Sequence, residues 1–177
     1  VKVTARPLIF LFLWLLLFTF VSTQIEAQDK AWGTVSRYDI VTTAKRDGRF
    51  QTFVTAVEKA GMEGLMREQN SYTIFLPTDA AFSQLPEGTI QKFFEPENRD
   101  KLTSLLKYHM VINKRIMCDC FNDVYQLKTL NGKDLAVWYV PGRTRVGHST
   151  IIARITEPDI TTKNGIIHVI DAVLVPR

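Results

Sequence analysis

Residues Asn164 to Pro176 read NGIIHVIDAVLVP. The stretch opens on an Asn-Gly pair, two residues that tolerate a positive φ, and so predicts a tight turn. The run after it, Ile166 to Val175, is apolar on both alternating faces, which places a strand there in the centre of a sheet. His168 and Asp171 are the polar interruptions, and they point to opposite faces. A buried polar side chain without a partner costs about 1–3 kcal/mol. His168 is therefore expected to hydrogen-bond elsewhere in the domain, and the turn at Thr78-Asp79 is the best-placed partner.

Just upstream, Thr156 to Gly165 read TEPDITTKNG. The four residues Glu157-Pro158-Asp159-Ile160 can be an acidic peptide displayed for a receptor, or the approach to the strand that follows. Pro158 fixes its own φ and has no N–H to donate, which suits a strand edge or bend. Asp159 can accept backbone N–H groups in the next turn, and Ile160 can fill core beneath it. The scaffold reading thus accounts for three residues and leaves Glu157 without a structural role.

Farther out, Phe50, Phe53, Val54 and Val57 recur at helical spacing within Arg49 to Ala60, with Asp47 to cap the start and Gly61 to end it. A short helix is expected before it, from Ile40 to Ala44. Thr73 to Leu76 form a strand stopped by Pro77. Thr78 reads as an N-cap, with Asp79 in the first turn of a helix through Phe82 and Leu85. A helix after Pro86 uses Ile90, Phe93 and Phe94, and Asn98 to Tyr108 bury Leu102, Leu105 and Leu106. Strand-like runs then follow at His109–Ile112, Gln126–Leu130, Asp134–Val140, Ile151–Ile155 and Ile166–Val175. Asn131-Gly132, Pro141-Gly142 and Asn164-Gly165 mark the turns. Helices first and strands later, without alternation, argue an α+β fold with a largely antiparallel sheet or sandwich. With no internal repeat, one domain is expected over residues 31–177.

Tyr72 to Phe82, YTIFLPTDAAF, and Asn164 to Pro176 together resemble the two signature boxes of fasciclin-like domains. Tyr108-His109 between them resembles the family's Tyr-His element. The resemblance covers roughly Tyr38 to Val175 and implies a wedge-shaped β-sandwich with a helical cluster along one edge. It also implies a non-catalytic role in adhesion or surface association, with a cell-surface or matrix protein or a glycan as partner. Thr78, Asp79, Asn164, Gly165, His168 and Asp171 are then the structural signature. In animal members a Tyr-His region, and a motif sharing the letters of Glu157 to Ile160, are implicated in integrin recognition. By that resemblance Tyr108, His109, Glu157 and Asp159 are candidate partner-binding residues. The plainer account has Tyr108 packing at the core edge and His109 helping to cap a helix C-terminus.

Chemistry finds little support. His109, His148 and His168 do not fall in a metal-ligand spacing. There is no G-x-S-x-G and no glycine-rich phosphate loop, so neither an enzyme nor a cofactor is expected. The sequence MCDCF, with Cys118 and Cys120, departs from the family pattern. A strained disulfide, two thiols without an intramolecular bridge, and a metal site are all open to this pair. It is the basis of an alternative reading, an exported small-ligand-binding or redox-responsive protein.

The formal net charge of the 177 residues is +4, with scattered basic residues, which argues against nucleic acid as a partner. Lys2 and Arg6 precede the uncharged Leu8 to Val21, in the order of a secretory signal peptide over residues 1–27. Those 14 apolar positions fall short of the roughly 20 a spanning helix needs, so cleavage after Ala27 is expected rather than a stable membrane span. The expected destination is secreted, periplasmic or extracellular.

Overall fold

The computed structural model describes residues 36–67, 71–118, 124–140, 143–148 and 151–176. The expected signal peptide, the turn at Pro141-Gly142 and Cys120 lie outside the described residues. No helix among those described is long and apolar enough to cross a membrane.

The helices gather mainly in the first half. Helix α1, Ile40–Asp47, begins at Asp39, whose carboxylate accepts the Thr42 N–H at 2.8 Å. It runs past the expected end at Ala44, with Lys45 and Arg46 in its last turn, where cations suit the helix dipole. Helix α2, Gln51–Ala60, buries Phe53, Val54 and Val57 and ends at Gly61, whose φ is 70°. Its start corrects the sequence reading: Asp47 is the last residue of α1 and binds the Arg49 guanidinium instead. Short helices α3, Glu63–Arg67, α4, Asp79–Phe82, and α5, Thr89–Phe93, follow. A 3-10 turn at Pro96–Asn98 leads into α6, Arg99–Tyr108, which buries Leu102, Leu105 and Leu106 as its spacing predicts.

Among the described residues, seven strands form one sheet. They are β1, Tyr72–Pro77, β2, Met110–Ile112, β3, Tyr125–Lys128, β4, Asp134–Val140, β5, Arg143–His148, β6, Ile151–Thr162, and β7, Gly165–Ile170. Their order across the sheet is β2-β1-β7-β6-β5-β4-β3. Among the described strands only β1 and β7 run parallel, in register from Tyr72 opposite Gly165 to Pro77 opposite Ile170. The two signature segments thus lie side by side, buried on both faces. Strand β7 is central, as its apolar run predicts, but ends at Ile170 rather than Val175. There Asp171 turns to accept the Arg154 N–H at 2.7 Å.

The two faces of β1 and β7 feed two cores. Ile74, Leu76, Ile167 and Val169 pack with the helices. Phe75 and Ile170 face a second core, to which Val111, Leu127, Val137, Val146 and Ala153 bring the other strands. A core supplied by all seven strands requires the sheet to fold over on itself. Strand β6 makes this turn, pairing with β5 from Ile151 to Arg154 and with β7 from Ile155 to Thr162. The Leu130 N–H also donates to the Met110 carbonyl at 2.7 Å, linking the chain after β3 to β2. The fold is therefore α+β, a seven-stranded sheet nearly closed around one core, with a helical cluster against its other face.

Candidate functional site

The Glu157 to Ile160 segment lies within β6, not in a free-standing turn. Glu157 pairs with Val169 and Ile160 with Ile167, so Pro158 and Asp159 together oppose the single residue His168. This is a β-bulge. Pro158 suits it because the ladder requires no donor there. Asp159 adopts φ 64°, a left-handed conformation that Asp tolerates better than most residues. Its N–H donates to His168 Nδ1 at 3.2 Å, and its Oδ1 accepts the Cys118 N–H at 2.8 Å. Ile160 is partly buried against the helix-side core. Glu157 is tied down after all: Arg49 Nη2 donates to its Oε2 at 2.9 Å. Hydrogen bonding to Asp47, joined by Glu157, raises the guanidinium pKa further and keeps it charged.

His168 is fully buried and stacks on Phe75, with ring centroids 5.5 Å apart. Because Nδ1 accepts from Asp159, the ring proton sits on Nε2 and donates to the Ile116 carbonyl at 2.9 Å. The predicted internal bond exists, but its expected partner was wrong. The Thr78 N–H meets the Ile170 carbonyl, so the Thr78-Asp79 turn lies past the end of β7, out of reach of His168. Burial lowers the His168 pKa, and the Ile116 carbonyl and Asp159 carboxylate only partly oppose this. The result is a neutral histidine pinning the chain from Asn113 to Cys118. Thr73 adds to the anchor: its hydroxyl donates to the Lys114 carbonyl at 2.8 Å and accepts the Ile116 N–H at 3.0 Å.

Tyr108 and His109 are 3% and 1% exposed. The Tyr108 hydroxyl donates to the Asp134 carbonyl at 3.2 Å, while burial first, and Asp134 second, raise its pKa. His109 Nδ1–H donates to the Leu105 carbonyl at 2.8 Å, and Nε2 accepts the Leu174 N–H at 3.0 Å. Burial lowers its pKa to about 4, against a smaller opposing effect of the Leu105 carbonyl. His109 thus closes the C-terminus of α6 and ties it to the chain after β7. Both side chains are almost wholly buried in this fold.

The remaining signature residues also act inside the domain. Thr78 caps α4 by accepting the Ala81 N–H at 3.2 Å. Asp79 reaches across to cap α2, accepting the Thr52 N–H at 2.7 Å and the Gln51 N–H at 3.2 Å. Asn164 accepts the Ile40 N–H at 3.0 Å and donates to the Met66 carbonyl at 2.6 Å. Neither Asn164 nor Gly165 has a positive φ, contrary to the sequence reading. Gly165 is demanded instead by the close approach of the Tyr72 carbonyl. Asp171 also pairs with Arg154 Nε at 3.2 Å. Local pattern missed Arg49 and Thr73, because only the fold reveals what they meet.

Removing the Asp79 carboxylate leaves two helix N–H groups without their cap. Asp79→Ala is expected to lower stability by about 1–2 kcal/mol, and Asp79→Asn by less. Urea unfolding measures both, and an unchanged midpoint for Asp79→Ala would remove the capping assignment.

A family model, the fasciclin domain, matches residues 48–176. The chain belongs to the fasciclin family. Among its relatives is Protein sll1483 of Synechocystis sp., 34% identical over 155 residues, which are 88% of this chain and 83% of that protein. Transforming growth factor-beta-induced protein ig-h3 of Sus scrofa is 31% identical over 86% of this chain, which spans only 23% of that longer protein. The solved FAS1 domain pair from the insect cell adhesion molecule Fasciclin I shares the fold, with a TM-score of 0.72 at 19% identity. It is matched over 80% of this chain and 52% of its own length. Among the described residues, no group of three His, Cys, Asp or Glu could hold a metal ion.

Proposed function

We propose that this fasciclin domain is a non-catalytic surface-association module of an exported protein, engaging a cell-surface or matrix protein or glycan. One observation carries the reading: the polar residues of both signature segments are committed to internal hydrogen bonds. What they leave for a partner is surface, and at the β6 bulge that surface is acidic. The side chains of Glu157 and Asp159 are 47% and 28% exposed. Adhesion is the stated role of the insect molecule that shares the fold.

The test is retention of the labelled full chain on native cell surfaces. Glu157→Gln with Asp159→Asn removes both charges; Asn tolerates the left-handed backbone and can still accept the Cys118 N–H. Retention is expected to fall at least about tenfold at an unchanged melting temperature. Equal retention would exclude the acidic bulge as the binding site, and no retention of the parent chain would exclude surface association. A redox-responsive function is the second reading, motivated by Cys118 lying against the bulge, where its backbone N–H meets Asp159. It requires retention to follow the oxidation state of Cys118 and Cys120, and to change in the Cys118→Ser, Cys120→Ser variant.

A further inference from the structure

Away from the bulge, the outer face of β4, β5 and β6 carries an unusual row. Trp138 lies opposite Arg145, and Arg145 lies opposite Arg154, on three successive strands. Residues directly opposite each other share a face, and the alternate positions Val137, Val146 and Ala153 are fully buried. The row therefore faces outward. Arg143, two residues before Arg145 on β5, joins it on the same face and is exposed. Like charges directly opposite each other in a sheet destabilise it. Asp171 engages Arg154, but no carboxylate among the described residues forms an ion pair with Arg143 or Arg145. These cations bring the sheet no evident stability.

We propose that this face binds an acidic polysaccharide, with Arg143, Arg145 and Arg154 taking its carboxylates and Trp138 stacking on a sugar ring. Charge complementarity fixes the sign of the partner. Guanidinium groups grip carboxylates in a two-pronged fork. Strand geometry fixes the spacing: about 4.8 Å between neighbouring strands and about 7 Å between alternate residues of one strand. That repeat is comparable to the length of a sugar ring in a polymer bearing one carboxylate per ring. The middle strands β4, β5 and β6 each have a neighbour on both sides, so their backbones offer no edge to an added peptide strand. Side chains must read the partner, and a flat aromatic beside cations suits a sugar chain.

The experiment passes the full chain over immobilised sodium alginate, with neutral dextran, polyglutamate and phosphatidylglycerol vesicles as comparisons. The parent chain is expected to bind alginate, to release with added salt, and to ignore dextran. Arg143→Gln with Arg145→Gln breaks no ion pair among the described residues and should weaken alginate binding at least about tenfold at an unchanged melting temperature. Trp138→Ala should weaken it while leaving the salt dependence intact. Glu157→Gln with Asp159→Asn should bind alginate like the parent, which separates this surface from the acidic bulge. The proposal falls if the double arginine variant binds alginate undiminished. It also falls if polyglutamate or the vesicles bind as tightly as alginate, which would assign the face to acidic protein or lipid.

Discussion

Acid weakens this fold through a histidine that never meets solvent. Between pH 7 and pH 4, His109 alone is expected to remove on the order of 3 kcal/mol of stability. Its pKa falls from 6.5 to about 4 on burial. Between those values the unfolded chain binds a proton that the folded chain refuses, so stability rises with pH. The contribution is complete above the unfolded value and is lost as pH falls through the folded one. His168, also held neutral by burial, acts in the same direction. The geometry explains why a proton is unwelcome: Nε2 of His109 accepts from Leu174, and Nδ1 of His168 accepts from Asp159. A proton on either acceptor would face an N–H. Urea unfolding at pH 7, 5.5 and 4 reads the loss, which is large beside the roughly 5–15 kcal/mol of a typical domain. His109→Gln keeps a donor and an acceptor but does not titrate, so it should flatten the slope between pH 6.5 and 4. A slope identical to the parent's would show that His109 is not held neutral.

Gly165→Ala should be worse still at neutral pH, lowering stability by about 3 kcal/mol or more. An added Cβ would run into the Tyr72 carbonyl oxygen and stand 2.7 Å from Cδ1 of Ile40. The isoleucine tip can rotate away, but the carbonyl cannot. Tyr72 is held in register opposite Gly165, and its own N–H donates to the Asn164 carbonyl at 3.0 Å. Gly132→Ala is the control. Gly132 has φ 84° with open space around it, so alanine there meets only backbone strain, about 1–2 kcal/mol. A soluble, folded Gly132→Ala beside an unfolded Gly165→Ala meets the expectation. A Gly165→Ala variant within 1 kcal/mol of the parent would refute the close-approach argument.

What could be read from the sequence follows how local each cause is. The buried face of α2, the cap at Thr78, the stop at Gly61 and the centrality of β7 rest on neighbouring residues, and each was legible. Strand β5 was not: only Thr144 and Val146 turn inward, and three cationic or polar residues and a glycine hide the alternation. The long β6 was cut short at Ile155 because Pro158 and a left-handed Asp159 read as a bend rather than as a bulge inside a strand. The partners of Asp79, Glu157 and His168 were missed for another reason. They are 27, 108 and 52 residues away in the chain, and no local pattern encodes them. For Tyr108 and His109 the plainer reading, core edge and helix cap, is the one their burial and the Leu105 bond fit, rather than the integrin-like one.

The place of β7 in the sheet also governs the order of assembly. It follows the other six strands in sequence yet sits between β1 and β6. Until it arrives, those two strands have unsatisfied edges, and the helix-side core lacks Ile167 and Val169. The bond from Ile40 to Asn164, which joins α1 to the start of β7, spans 124 residues. Contacts of such separation slow folding, because the chain must lose its freedom before they can form. A nascent chain of this topology therefore cannot complete its sheet until β7 has been made. Until then it stays open, with its β1 and β6 edges in need of protection from other chains.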